Sequence, residues 1–225
     1  MAEAEQPWVR LVLAISLDGR LAPQHGGAAQ LGGPGDRRAL EEALAWGDAV
    51  LIGAGTLRAH RSSCLIRDTD LLLQRSHEVR PPQPAALVVT RNAEFPLEWP
   101  FFQQPFERHL LSEAGLPAPG FQGALRLSPC WRETLVQLAS FGWSKLLLLG
   151  GARLCHSLLA EDAVDELQLT LCPRLLGGAF TWLPAQGTSL SPQLARTGAW
   201  TLQEARPIGD DELLVRYRRN RCSSS

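Results

Sequence analysis

The sequence has almost no net charge. Its 22 basic and 23 acidic side chains leave a formal −1 over 225 residues. That removes any bulk attraction to nucleic acid or an anionic membrane and leaves room only for a local basic pocket. There is no CxxC pair. The five cysteines, Cys64, Cys130, Cys155, Cys172 and Cys222, are scattered and odd in number, which argues against a zinc site and a disulfide framework and fits a reducing compartment. No apolar stretch approaches the ~20 residues of a membrane helix. The opening MAEAEQPW is acidic and polar, not a basic stretch before an apolar run. Repeats, low-complexity tracts and linkers are also missing. The expectation is one domain over 1–225, cytoplasmic, with no metal, no nucleic acid and no membrane partner.

What is present is alternation. WVRLVLAISLDGRLA (8–22) reads as a buried strand ending at Asp-Gly, and HGGAAQLGGPG (25–35) as a glycine-rich loop. GDRRALEEALAWGD (35–48) reads as a helix, with Asp36 near its start and Gly47 near its end. AVLIGAG (49–55) is a short strand, and TLRAHRSS (56–63) opens a turn or helix. Strands follow at Ala85–Thr90 and 123–129, while HLLSEAG is a strand end or a short helix. A helix spans 130–143, a buried strand 145–151, a helix 152–162, an alternating strand 165–178 and a closing hairpin 204–219. This order predicts an α/β domain with a mostly parallel sheet, whose continuous apolar strands suit cover on both faces.

Three strand ends carry ligand-binding chemistry, and in open α/β sheets ligands sit at the carboxyl ends of strands. AVLIGAGT ends at Gly53, Gly55 and Thr56, AALVVTR at Thr90 and Arg91, and KLLLLGGARL at Gly150 and Gly151 with a helix following at once. Bare backbone lets a ligand approach closely. The free N–H groups of a helix start suit a phosphate, and Arg153 adds charge there. Two such ends in one sheet point to a dinucleotide. The alternative is that the glycines only let helix and strand pack closely. Neither stretch is a Walker A loop or GxGxxG, and no Ser–His–Asp or Cys–His arrangement is present.

Taken together, AISLDG (14–19), DAVLIGAGT (48–56) and LLGGARLCHSLLAEDAVDELQLTLCPRLLGG (148–178) resemble the reductase domain of riboflavin biosynthesis, a family related in fold to dihydrofolate reductase. The resemblance implies a dihydrofolate reductase-like three-layer α/β/α sandwich around a mixed, mostly parallel sheet. It also implies NADPH as hydride donor, a homodimer, and reduction of the ribosyl group of 5-amino-6-(5-phosphoribosylamino)uracil. The zinc deaminase domain often found upstream would need HxE and PCxxC, which are not present in 1–225. Carried over by position, Ala14 and Ser16 fall near the nicotinamide. Gly53, Gly55 and Thr56 meet the cofactor phosphates, and Thr90 and Arg91 the adenosine 2′-phosphate. Gly150, Gly151, Ala152, Arg153 and Leu154 meet the pyrophosphate.

The substrate side departs from the family pattern. Val12 stands at the usual lysine, Leu149 at the usual glutamate before Gly-Gly, Leu44 at an arginine, and Gln30–Leu31 near a tryptophan. Of the TxxxDDPxLTxR run, His60 and Ser62 replace Asp and Pro, and Arg67 remains. Asp18, His60 and Arg67 are the substrate-side candidates. Asp18 equally suits an Asp-Gly turn, and His60 and Arg67 equally suit solvated loops. Asp165 and Glu166 point to opposite sides of a strand, so they do not form an acid–base pair. Trp46, Trp131 and Trp143 read as helix–sheet packing, and the arginine-rich C-terminal end as a solvated face. Two further readings stay open: a diverged reductase of another small carbonyl, imine or pterin-like substrate, and a non-catalytic nucleotide-binding relative.

Overall fold

The computed structural model describes residues 6–26, 31–183 and 189–221. Its sheet has nine strands. They are β1 (Trp8–Ser16), β2 (Ala49–Gly53), β3 (Ala85–Val89), β4 (Arg108–Ser112), β5 (Gly123–Arg126), β6 (Lys145–Leu148), β7 (Glu166–Cys172), β8 (Trp200–Gly209) and β9 (Glu212–Arg219). The order is β5-β4-β3-β2-β6-β1-β7-β9-β8. The pairs from β5 to β7 are parallel, and β9 and β8 join antiparallel. The helices are α1 (Pro34–Trp46), α2 (Ala54–His60), α3 (Thr69–His77), α4 (Trp131–Ser140) and α5 (Ala152–Ala160).

Alternate side chains of the central strands enter two separate cores. Val9, Leu11, Leu13, Ala49, Leu51, Leu146 and Leu148 pack with Leu135, Leu138, Leu158 and Leu159 of α4 and α5. Val50, Ile52 and Leu147 pack on the other face with Leu44, Leu57 and Leu71 of α1, α2 and α3. The result is the α/β/α sandwich that the resemblance implies, with the cover on both faces that the apolar strands suit. After β1 the chain builds outward through β2 to β5. It then returns to lay β6 between β2 and β1 and β7 on the far side of β1. The mouths of β2, β6 and β1 are therefore where the winding reverses, the usual place for a ligand crevice.

Several boundaries differ from those expected. β1 stops at Ser16, because Ser16 and Asp18 fold the next residues into a turn. The strand expected over 165–178 ends at Cys172. HLLS forms the inner part of β4. Helix α3 lies in a stretch that the sequence pattern left unassigned. Asp68 caps it, accepting from Asp70 N and Leu71 N at 3.0 Å each. The closing hairpin starts earlier, at Trp200, and turns through Asp210 and Asp211, both at positive φ, the backbone that a two-residue β-turn demands.

The arginine-rich end is a solvated face only in part: Arg218 and Arg221 are exposed, but Arg216 and Arg219 are engaged. Arg219 is 7% exposed and makes a fork on Asp162, Nε and Nη2 each donating at 2.8 Å, while Arg216 joins Arg10 around the buried Glu166. Antiparallel pairing of β9 with β7 draws these side chains inward. Trp131 is buried against α5 with Nε1 donating to Ser157 at 3.0 Å, and Arg10 lies 3.9 Å over the Trp46 ring.

Candidate active site

Gly53 and Gly151 are the residues that bring β2 and β6 together at their ends. Gly150 and Gly151 both have positive φ, 97° and 91°. A Cβ on Gly151 would lie 3.2 Å from Thr56 Oγ1 and 3.5 Å from Gly53 Cα, so a side chain there would be strained by the positive φ and would press on the Thr56 hydroxyl, while a Cβ on Gly53 would meet only ordinary contacts. Gly55 differs: nothing lies within 4 Å of where its Cβ would project, and it faces open space.

That space is a cleft of about 2130 Å³, more than twice the ~300–1,000 Å³ usual for one small ligand. It runs from Val12, Leu13 and Ala14 on β1, past Gly150–Leu154 and Gly53–Thr56, to Thr90, Arg91 and Asn92 beyond β3 and to Glu113, Arg126 and Ser128 beyond β4 and β5. Helix α5 opens into it without a side-chain cap. The first bond inside the helix is from Cys155 N to Gly151 O, so the N–H groups of residues 152–154 have no intrahelical partner.

The cleft gathers Ala14, Gly53, Gly55, Thr56, Thr90, Arg91, Gly150, Gly151, Ala152, Arg153 and Leu154, together with His60 and Arg67. Thr90 is 7% exposed and spends its hydroxyl on the following turn, donating to Asn92 O at 2.6 Å and accepting from Asn92 N at 3.1 Å. Arg91 is exposed. The Gln30 position lies outside the described residues.

Ser16 and Asp18 are not on the cleft lining. Ser16 Oγ donates to Asp18 Oδ1 at 2.5 Å and accepts from Arg20 N at 2.8 Å. Asp18 also accepts from Leu176 N at 3.1 Å and Gly177 N at 2.7 Å, fastening the loop after β7 to the exit of β1. The Ser16 hydroxyl, with the two backbone N–H groups, holds the Asp18 carboxyl at a pKa of about 2. A folded-state value below the unfolded ~3.9 gives stability that is complete above that value and lost as the pH falls toward 2. Asp18→Asn is expected to flatten this acid limb in a series of denaturation midpoints against pH. An unaltered limb would contradict the clamp.

Residues that sequence reasoning missed also line the cleft: Asp36, Glu41, Cys64, Glu113, Arg126 and Ser128. Glu41 accepts from Arg67 N at 2.8 Å and Asp68 N at 2.9 Å and so sets the rim that presents Arg67. Asp36 carried only the signal of an acidic helix start. Val12 and Leu149 do line the cleft, and both pack against the apolar core beneath it. Among the described residues no group of His, Cys, Asp and Glu could hold a metal ion, and no helix is long and apolar enough to cross a membrane.

Residues 7–211 match the RibD C-terminal domain. The chain belongs to the RibD C-terminal domain family. It is therefore an oxidoreductase of the riboflavin-biosynthesis kind. It is similar to 2,5-diamino-6-ribosylamino-4(3H)-pyrimidinone 5′-phosphate reductase of Methanothermobacter thermautotrophicus, at 25% identity over 94% of this chain and 98% of that one. It also resembles the solved RibD of Acinetobacter baumannii, with TM-score 0.77 and 22% identity over 96% of this chain and 59% of that one. Dihydrofolate reductase of Enterococcus faecalis, solved with NADP(H), has TM-score 0.55 at 14% identity over 96% and 98%. These last two show a shared fold. The RibD C-terminal fold thus lies beneath the cleft, with an apolar wall at Val12 and Leu149.

Proposed function

We propose that the protein is an NADPH-dependent reductase of a 5-amino-6-ribosylaminopyrimidine 5′-phosphate, either the uracil or its 2-amino analogue. The observation that carries this reading is the continuous cleft whose centre is walled by bare backbone at Gly53, Gly55, Gly150 and Gly151. Its length suits a dinucleotide and a second ligand together. The cofactor's diphosphate would lie against the opening turn of α5, where unpaired N–H groups and Arg153 favour an anion. Its adenosine end would reach Arg91, and its nicotinamide would come to Ala14. Once bound, the cofactor supplies hydride. The chain's own residues position the two ligands and exclude water.

The proposal extends to a cytoplasmic homodimer whose reductase domain occupies 1–225. Sedimentation at working concentration tests the dimer.

Fluorescence titration with NADPH and NADH, followed by turnover of both pyrimidine phosphates, tests the activity. Binding of NADPH with turnover of either pyrimidine is expected. Failure of both cofactors to bind overturns the reading. Arg91 is expected to supply the preference for the extra phosphate. Arg91→Ala should lower the NADPH-to-NADH affinity ratio about tenfold, roughly 1.4 kcal/mol, with NADH affinity nearly unchanged. An unaltered ratio would place the phosphate elsewhere.

A further inference from the structure

Asp36 stands in the first turn of α1 and lines the cleft. A Cβ on Gly32 would collide with its carboxyl group. Behind it, Glu212 begins β9. Glu212 is 4% exposed; Oε1 accepts from Gly33 N at 2.9 Å, and Oε2 has no hydrogen-bond partner among the described residues. The Gly32–Gly33 pair is thus pinned between two carboxyl groups, and Asp210 of the hairpin turn also abuts Gly33. The other groups facing this cluster are the Thr170 hydroxyl and Cys172 thiol of β7, Arg174 after it, Arg37 and Glu41 of α1 and the Cys64 thiol after α2. Thr170 is the register partner of Ala14, so Asp36 sits beside the point where β1 enters the cleft.

An aspartate in the first turn of a helix is normally favoured as the anion. Here burial, and then the charge of Glu212, hold the Asp36 carboxyl above its usual range, against the Thr170 hydroxyl and Arg37. A buried carboxylate beside a second one is costly. Neither helix capping nor packing against Gly32 requires that arrangement, since an asparagine would serve both.

We propose that Asp36, backed by Glu212, supplies the proton that accompanies hydride addition in this cleft. The inference rests on the reductase reading. Reduction of an open-chain ribosyl imine adds hydride from the dihydronicotinamide to carbon. The C=N π pair becomes the N–H bond, and its proton comes from the Asp36 carboxyl. The products are the amine, the oxidised nicotinamide and the Asp36 carboxylate, which takes a proton back from water. The acceptor this site fits is a neutral imine nitrogen or carbonyl oxygen.

Two measurements test the proposal. Carboxyl-carbon NMR of the intact protein, assigned by the signal lost in Asp36→Asn, is expected to show Asp36 titrating above the ordinary ~3.9, and lower in Glu212→Gln. Titration of Asp36 in the ordinary range overturns the proposal whether or not the cofactor binds. Turnover against pH with NADPH and either pyrimidine phosphate is the second measurement. The wild-type rate should fall as the pH rises through the Asp36 transition. Asp36→Asn should bind NADPH within about twofold of wild type, lose ~10²–10⁴ in rate and lose that limb. Glu212→Gln, which removes the charge that raises Asp36, should move the limb to lower pH; a purely structural role would leave the limb in place. A protein that turns over with its profile unchanged in Asp36→Asn overturns this proposal alone. One that binds neither cofactor overturns the reductase reading, and this inference with it.

Discussion

Gly55→Leu is expected to weaken NADPH binding at least about 100-fold, roughly 2.7 kcal/mol, in a protein that unfolds no more easily than wild type. Gly55 lies inside α2 with no positive φ and nothing within 4 Å of its missing Cβ. The chain therefore has no steric need for glycine there, and leucine is the better helix former by most of the ~1 kcal/mol that separates Gly from Ala. If a dinucleotide occupies that space, the new side chain displaces it, so binding and stability move in opposite directions. Gly151→Ala is the contrasting case. Its φ of 91° and the Thr56 hydroxyl 3.2 Å away make any side chain strained, so binding and stability should fall together. Fluorescence titration and denaturant midpoints on both variants separate the two glycines. A Gly55→Leu protein that binds NADPH as wild type does would show that the space is not the cofactor's.

The parallel sheet and its helices were legible because the pattern is local. Runs such as AVLIG and LLLLG, each closed by glycine, state strand and exit in a few residues, and the two-sided burial of β2 and of Leu146–Leu148 in β6 follows from their lack of polar positions. The glycine corners at Gly53 and Gly151 were legible for the same reason. Helix α3 is not legible in the sequence, since TDLLLQRSH is short and mostly exposed, with Leu71 and Arg75 its only buried residues. Its Asp68 cap was the available signal. The GGPG stretch reads as a loop from its composition. Its glycines are required by partners far along the chain: Gly33 donates to Glu212, 179 positions away, and Gly35 abuts the backbone at Ile208. Asp36 next to Glu212 belongs to the same class, a contact made by the last hairpin folding over the first helix. The substrate wall was legible only as a pair of replacements, Val12 and Leu149. The carboxyl group of Asp36, which lines the same cleft, comes from a different element.

Arg75→Met is expected to destabilise the protein by about 2–5 kcal/mol, the cost of leaving two buried carbonyls without their donor at ~1–3 kcal/mol each, with a fall in Tm of about 10 °C at ~2–4 °C per kcal/mol for a chain of this size. Helix α1 carries no basic residue in its own last turn. Its carbonyls are met from α3 instead: Arg75, 1% exposed, donates through Nη1 to Leu44 O at 3.3 Å, Ala45 O at 2.9 Å and Gly47 O at 2.8 Å, and through Nε to Pro81 O at 2.7 Å. Burial pulls its pKa down to about 10, with the Arg80 charge adding to the effect, which still leaves it protonated at neutral pH. Methionine keeps the packing volume and removes every donor, so the carbonyls of Leu44 and Pro81 lose this partner while Ala45 and Gly47 retain Arg80. Lysine should not rescue the loss, because one ammonium group cannot reach carbonyls spread around a planar fork. Arg80→Met is the control. Arg80 is more exposed, and two of its three carbonyl acceptors keep Arg75, so its cost should be less than half as large. Urea midpoints at constant m measure both, and a penalty under about 1 kcal/mol for Arg75→Met would mean that water reaches the end of α1 and satisfies it without the arginine.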